Sequence, residues 1–382
     1  MKQAKDFLET YPKKDGYQQF FCPGRVNLIG EHIDYNGGYV LPCALEFGIY
    51  GVAKIIEEDK LILKSRNMEL EVEVALDDLE YKDEHGWANY PKGIAKEFIN
   101  RGFKLKGMRI NYYGNIPEGA GLSSSAAMEI LTCMIIDNLH NLNVNKLEWI
   151  KLSQKVENEY IGVNCGIMDQ FAVCMGKKDH VILLDCDTLK YKYSKVKMDK
   201  HSLVIINSNK KRELSSSKYN ERRDECEEGL RILRKYKDIE NLCDLTSLEL
   251  KQFIDKIDKE NIRKRVRHVI MENERVINSI KALENEDLHT FGKMMNQSHD
   301  SLRNDYEVTG YELDVLVDEA RKCDGVLGSR MTGAGFGGCT ITLIENQHIE
   351  KFEKRIKKVY KEKTGLDADF YYSLIEDGVK KI

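Results

Sequence analysis

MRINYYGNIPEGAGLSSSAAMEILTCMII, residues 108–136, is the stretch on which the reading of the fold turns. Alternation at its start sends Met108, Ile110 and Tyr112 to one face, the pattern of a half-buried strand. Gly119 and Gly121 follow, where a chain free of Cβ obstruction turns tightly and comes close to a ligand. Ser123, Ser124 and Ser125 then stand where a helix begins and are suited to cap it, while Ala126, Ala127 and Met128 carry it on. Strand, glycine loop and helix N-terminus together make an anion site, because unpaired N–H groups and the helix dipole both favour a phosphate. The loop has no lysine, so it is not the common G-x-x-x-x-G-K-[ST] loop. Taken alone, the same letters also suit a capped buried helix entered through a flexible turn.

Two more glycine-rich stretches flank it. CPGRVNLIGEHIDYNGG (22–38) packs Arg25, Glu31, His32 and Asp34 between glycines, and GVLGSRMTGAGFGGCTITLI (325–344) runs from a glycine cluster into an apolar β-branched strand. The latter reads as backbone brought close to a ligand or to another strand. KVENEYIGVNCGIMDQF (155–171) adds carboxylates in apolar company, Glu157 on a helix and Asp169 after a glycine-flanked turn. Such groups must be paired, hydrogen-bonded or protonated. The plain alternatives are a solvated helix residue for Glu157 and a helix cap for Asp169.

With 382 residues the chain exceeds the roughly 250–300 at which one core stops growing, so two domains sharing a cleft are expected. Strand-like runs such as GIYGVAKII (48–56), LILKS (61–65), ELEVEV (69–74) and VILLDC (181–186) fill the first half. From about residue 210 long charged helical segments take over, with short strands returning at TITLI (340–344) and DFYYSLI (369–375). The boundary is placed after KYKYSKVKMDK, giving domains 1–200 and 201–382. The charged helices mix both signs and read as solvated faces with i,i+4 ion pairs.

Composition is that of a folded soluble protein, 42% apolar and 32% charged. The net charge of −4 supplies no field to draw nucleic acid or an anionic membrane. The charged start MKQAKDFLETYPKKDGY is unlike a signal peptide, and no apolar run is long enough to span a bilayer, so a cytoplasmic location is expected. Its 10 cysteines show no C-x-x-C pattern and read as reduced core residues, without disulfides.

Together these residues resemble the GHMP kinase superfamily and, within it, the galactokinase family. CPGRVNLIGEHIDYNGG resembles the galactokinase signature, PEGAGLSSSAA the superfamily's ATP loop and TGAGFGGCTITL its third motif. With CGIMDQF between them in fitting order and spacing, the resemblance covers essentially the whole chain. It implies an α+β fold of two domains, the first similar to ribosomal protein S5 domain 2 and the second ferredoxin-like, with ATP and sugar meeting in the cleft. The implied reaction, in galactose metabolism, moves the γ-phosphate of ATP to the anomeric C1 hydroxyl of D-galactose, giving α-D-galactose 1-phosphate and ADP.

The resemblance also assigns residues. Asp169 matches the catalytic aspartate that accepts or orients the C1 hydroxyl proton, and Arg25 its cationic partner. An arginine beside a carboxylate keeps it ionised but weakens it as a base, so abstraction and orientation both stay open. Ser125 and Glu157 match the ligands of Mg2+, a hard-oxygen pair for an ion that takes its other ligands from water and phosphates. Gly119, Ala120, Gly121, Leu122, Ser123, Ser124 and Ser125 would cradle the phosphates, with Ser65 in LKSRN contacting the nucleotide. Glu31, His32, Ile33 and Asp34 would hold the sugar, closed over by Tyr219 from the second domain; a ring packed on an amphipathic helix is the alternative for that tyrosine. Galactokinases commonly have threonine where this chain has Ile33, which puts any contact of that hydroxyl in doubt. A non-catalytic galactose and ATP sensor would be expected to lose part of this set, which is intact. A related kinase for N-acetylgalactosamine or arabinose is the nearer rival. No nucleic acid, membrane or obligate protein partner is indicated.

Overall fold

The computed structural model describes residues 2–117, 119–210 and 215–382, so Glu118 of the glycine loop and residues 211–214 lie outside the description. A six-stranded sheet carries strands 380–381, 18–27, 42–55, 108–114, 60–65 and 72–75 in that spatial order. Its pairs are antiparallel except 60–65 with 108–114, which run parallel. The last strand of the chain therefore returns to the sheet that the first one opens.

The 108–114 strand shows why this sheet is covered on both sides. Met108, Ile110 and Tyr112 enter the main core as their alternation predicts, while Tyr113 on the opposite face packs with Phe7 of the helix Lys2–Thr10. Helices Ser124–His140, Lys146–Lys155 and Met168–Met175 lie in the half of the chain that builds this layer.

A four-stranded antiparallel sheet orders strands 326–332, 339–345, 201–207 and 369–372. In HSLVIIN (201–207) the period of two divides the burial: Leu203 and Ile205 join the main core, Val204 and Ile206 a second one. The helix Ile349–Thr364 closes that second core with Phe352, Ile356 and Tyr360, spaced four apart along one stripe. A smaller sheet of 39–40, 180–185 and 191–195 completes the strands. The mixture of helix and sheet is α+β, as the resemblance implies.

The charged helices differ from expectation. The helix Glu260–Glu284 buries Arg265, His268, Glu272 and Arg275 along with its aliphatic residues. These groups are held by partners, since a buried charge is tolerated only when paired: Arg275 Nε donates to Glu272 Oε2 at 2.7 Å and Arg265 bonds Glu225 and Glu307. None of the ten cysteines is in a disulfide, and six of them are buried. Among the described residues no helix is long and apolar enough to cross a membrane.

Candidate active site

Arg25 comes from the strand Gln18–Asn27, just after an irregularity in its pairing between Pro23 and Arg25. Its Nε and Nη2 donate to Asp169 Oδ1 and Oδ2, each at 2.8 Å, and Nη1 donates to the carbonyl of Gly121 at 2.8 Å. A single buried guanidinium thus ties the candidate aspartate to the glycine loop. Burial works against its charge, but Asp169, Glu31 and Asp34 outweigh that and raise its pKa further.

Asp169 lies in the first turn of the helix Met168–Met175 and receives a third donor, the Ser123 hydroxyl, at 2.6 Å. Ser123 stands at φ 64° and makes no side-chain cap to the helix Ser124–His140. The expected serine cap gives way here because a bond to an ionised carboxylate is stronger than one to a backbone amide. A non-glycine residue in this left-handed region costs on the order of 1–3 kcal/mol and persists where its surroundings determine it. The first N–H groups of the helix are left without that cap, free to meet an anion.

Two cavities open on this junction, one of about 290 Å³ and one of about 620 Å³, and Arg25, Ser125, Asp169 and Ala334 line both. The smaller also takes in Glu31, His32, Asp34, Glu157 and Tyr219. Glu31 is largely taken up by the protein: Gly333 N–H (2.8 Å) and Arg330 Nη1 (3.3 Å) donate to Oε1, and Asn27 Nδ2 (3.0 Å) to Oε2. The Thr332 hydroxyl adds a fourth approach to Oε1 at 3.1 Å. Since a carboxylate offers about four acceptor sites, little capacity is left for a ligand. Glu31 is foremost a clasp between the first and third glycine-rich stretches.

His32 is a second clasp. Its Nε2–H donates to the carbonyl of Ala334 at 3.1 Å, so Nδ1 accepts from the Tyr35 hydroxyl at 2.9 Å. Burial, with His268, Arg222 and Arg330 nearby, lowers its pKa to about 3, and the ring is neutral. Tyr219, on the helix Ser215–Leu233, sets its ring 5.4 Å from that of His32 and 5.5 Å from that of Tyr35.

Asp34 accepts from the backbone N–H groups of Tyr35 and Met168, which leaves part of its carboxylate for a ligand. It faces Gly166, where an added Cβ would fall 1.8 Å from Asp34 Oδ2, so only glycine leaves room for it. Burial and the neighbouring Asp169 push its pKa up to about 7. Glu157 sits in a π-helical turn, Val156–Ile161, that follows the helix Lys146–Lys155. Such a turn is a common device at functional sites. Its carboxylate meets the Ser125 hydroxyl, while Gln170 Nε2 and the Cys165 thiol donate to Oε2 at 2.7 and 3.0 Å. Burial raises its pKa despite these donors. Cys165, expected in the core, thus lines the cavity instead.

Comparison with known proteins accords with this geometry. Residues 89–177 match the model of the GHMP kinases N-terminal domain, 279–362 that of the GHMP kinases C-terminal domain, and 5–55 the galactokinase galactose-binding signature. The galactokinase of Fusobacterium nucleatum is 51% identical over 382 residues, covering 99% of this chain and 98% of that protein. The chain belongs to the galactokinase family. Another galactokinase relative, from Clostridium beijerinckii, is 50% identical over 99% of the chain and 97% of its own length. The crystal structure of the Lactococcus lactis galactokinase complexed with galactose superposes with a TM-score of 0.96 at 44% identity, over 99% of this chain and 100% of that one. The mevalonate kinase of Methanococcus jannaschii, 19% identical with a TM-score of 0.68 over 94% of this chain and 99% of its own, shares the fold.

Ile33, expected at the sugar, departs from the galactokinase-family reading. It is fully buried in the main core, and its side chain lies beside Gly38, away from both cavities. In a strongly curved loop neighbouring residues point to different sides, so His32 and Asp34 face the cavity while the letter between them does not. Ile33→Thr is therefore expected to cost about 1–3 kcal/mol, for a hydroxyl buried without a partner. Urea unfolding checks the loss, and the Michaelis constant for galactose is expected to stay within about twofold.

In this galactokinase-family chain Ser65 lines the larger cavity with Gly119, Gly121, Leu122, Ser123, Ser124 and Ser125, the residues expected at the nucleotide. Ala120 lines neither cavity: it is fully buried and serves packing. Sequence reasoning missed the aromatic wall opposite, Trp87, Tyr90 and Tyr112, with Trp87 set edge-on to Tyr112 at 5.8 Å. Two aromatics crowded into GWANY (86–90) were the available signal. The platform beneath the first loop was missed too: Glu272 Oε1 accepts from Gly30 N–H at 3.0 Å and His268 Nε2 donates to the carbonyl of Glu31 at 3.1 Å. Both lie in the charged helix whose pattern reads as a solvated face.

Proposed function

We propose that the protein is an ATP-dependent sugar 1-kinase that phosphorylates D-galactose at its anomeric hydroxyl, giving α-D-galactose 1-phosphate and ADP. The observation that carries this reading is the pair of cavities meeting at Arg25, Ser125 and Asp169. Phosphoryl transfer needs donor and acceptor in line with charge neutralised between them. ATP fits the larger cavity, its adenine against Trp87 and Tyr90 and its phosphates at the start of the Ser124–His140 helix; galactose fits the smaller.

Three donors already occupy Asp169, which leaves about one acceptor site of its carboxylate for the C1 hydroxyl. That hydrogen bond orients the nucleophile and takes up its proton as the bond to phosphorus forms. Arg25, permanently charged, sits within reach of both partners and offsets the charge that gathers on the transferring group. Ser125 and Glu157 fit Mg2+, two hard oxygens already in contact with each other. The ion would neutralise phosphate charge there. The proposed domains meet at the smaller cavity, where Tyr219, Asn220, Gly333 and Ala334 come from 201–382 and the rest of the lining from 1–200, and cytoplasmic function suits a chain whose ten cysteines form no disulfide.

Asp34 gives the sugar site a pH dependence. With its pKa raised to about 7, it is ionised only above that value, and the ionised form accepts bonds from vicinal hydroxyls. Galactose affinity is therefore expected to rise as pH increases through about 7, read as a falling dissociation constant by calorimetry. Stability moves the other way. The unfolded chain releases this proton near 3.8 and the folded one near 7, so the ligand-free protein loses this contribution as pH rises between them.

An ADP-release assay over D-galactose, D-glucose, N-acetylgalactosamine, arabinose and 2-deoxygalactose tests the substrate. Galactose is expected among the best; its absence from that group would overturn the specificity, and no turnover with any sugar would point to the sensor.

A further inference from the structure

Behind Glu157 lies a second carboxyl that the reaction as described does not use. Glu129, one turn along the Ser124–His140 helix from Ser125, is fully buried and meets the side chain of Gln170. Gln170 is fully buried as well, and its Nε2 donates to Glu157 Oε2 at 2.7 Å. Among the described residues, neither oxygen of Glu129 nor Oε1 of Gln170 has a partner within hydrogen-bonding geometry.

These three buried acceptors share one amide N–H2, that of Gln170, already given to Glu157, a costly arrangement at about 1–3 kcal/mol for each unpaired group. One proton corrects it. Carried by Glu129, it turns an acceptor into a donor and gives Gln170 Oε1 a partner. Burial and the negative charge of Glu157 push Glu129 toward the protonated form and outweigh the Gln170 side chain, which favours the ionised one.

We infer that Glu129 is held as a neutral carboxylic acid and acts as a positioning residue, donating its O–H to Gln170 Oε1 so that the amide keeps its N–H2 turned toward Glu157. With the amide reversed, an oxygen would face the Glu157 carboxylate and displace it. The consequence for Mg2+ rests on the proposed reading of Glu157 as a ligand; the protonation of Glu129 does not.

The full chain and its variants E129Q, E129M, Q170L and E157Q provide the test. In E129Q an amide N–H replaces the O–H donor, whereas E129M and Q170L remove the link. Infrared spectra of the metal-free protein, taken about two pH units above the Asp34 value of about 7 so that Asp34 is ionised, read the proton directly. A carbonyl band of a protonated carboxyl is expected in the unmodified chain and not in E129Q; no such band overturns the neutral acid. Mn2+ binding in the presence of a non-hydrolysable ATP analogue, followed by electron paramagnetic resonance, reads the positioning. E129M and Q170L are expected to bind about 10–100-fold more weakly, and E129Q within about twofold of the unmodified chain. Unchanged binding in both E129M and Q170L while E157Q loses it overturns the positioning role, as does E129Q failing like E129M. Unchanged binding in E157Q overturns instead the reading of Glu157 as ligand. Thermal melts of the metal-free variants show which are folded, and two independent breaks of the link keep the test open if one is not.

Discussion

Asp169→Asn is expected to lower kcat by about 10²–10⁴-fold while galactose and ATP continue to bind. The side chain keeps its shape, but it offers one acceptor oxygen where Arg25 presents two donors, Nε and Nη2. The amide nitrogen then faces the guanidinium in either orientation, at Nε or at Nη2, where it also meets the Ser123 hydroxyl, and no ionised group is left to take the nucleophile's proton. On the proposed reading Asp34 and the cavity walls hold the sugar, so galactose affinity is expected to persist in calorimetry. ADP release measures the loss, and a thermal melt confirms that the variant is folded, since Asp169 is the chief counter-charge of a buried arginine. Near-normal turnover would sink the assignment of Asp169.

Glu31→Ala is expected to destabilise the chain by about 3–5 kcal/mol, the usual consequence of breaking a buried pair by removing one partner. Gly333 N–H, Asn27 Nδ2 and Arg330 Nη1 all lose an acceptor, and Arg330 itself is fully buried. The first and third glycine-rich stretches then keep the His32 to Ala334 bond and those of Arg330 and Thr332 to the backbone of Asn27 and Leu28. Denaturant unfolding measures the loss, and a change below about 1 kcal/mol, the range of a surface ion pair, would show that Glu31 is not the clasp. The Michaelis constant for galactose is expected to rise with it, because His32 and Asp34 share that loop.

These two expectations differ in how far the letters anticipate them. Arg25 and Asp169 could be assigned from their motifs, and the strand of Met108, Ile110 and Tyr112 from its alternation, because such signals lie within a few residues. The saturation of Glu31 could not be foreseen. Its donors come from residues 302 and 299 positions away as well as from Asn27 four positions back. Local pattern carries no information on such distant partners. The Glu260–Glu284 helix departs from its pattern for a related reason: alternating charges look solvated until a loop from elsewhere supplies Gly30 N–H and the Glu31 carbonyl.

The sequence by itself determined the α+β layering, the three glycine-rich stretches, the family and the identity of the Arg25 and Asp169 pair. Periodicity and glycine placement are local consequences of backbone sterics and can be read along the chain. Only the tertiary structure decided what each side chain faces. It turned Ile33 inward, drew Ser123 from the helix cap to Asp169, gave Glu31 and His32 to the joint between distant loops, and set Glu129 behind Glu157. Those outcomes depend on burial and on hydrogen-bond saturation, which follow from contacts among segments hundreds of residues apart.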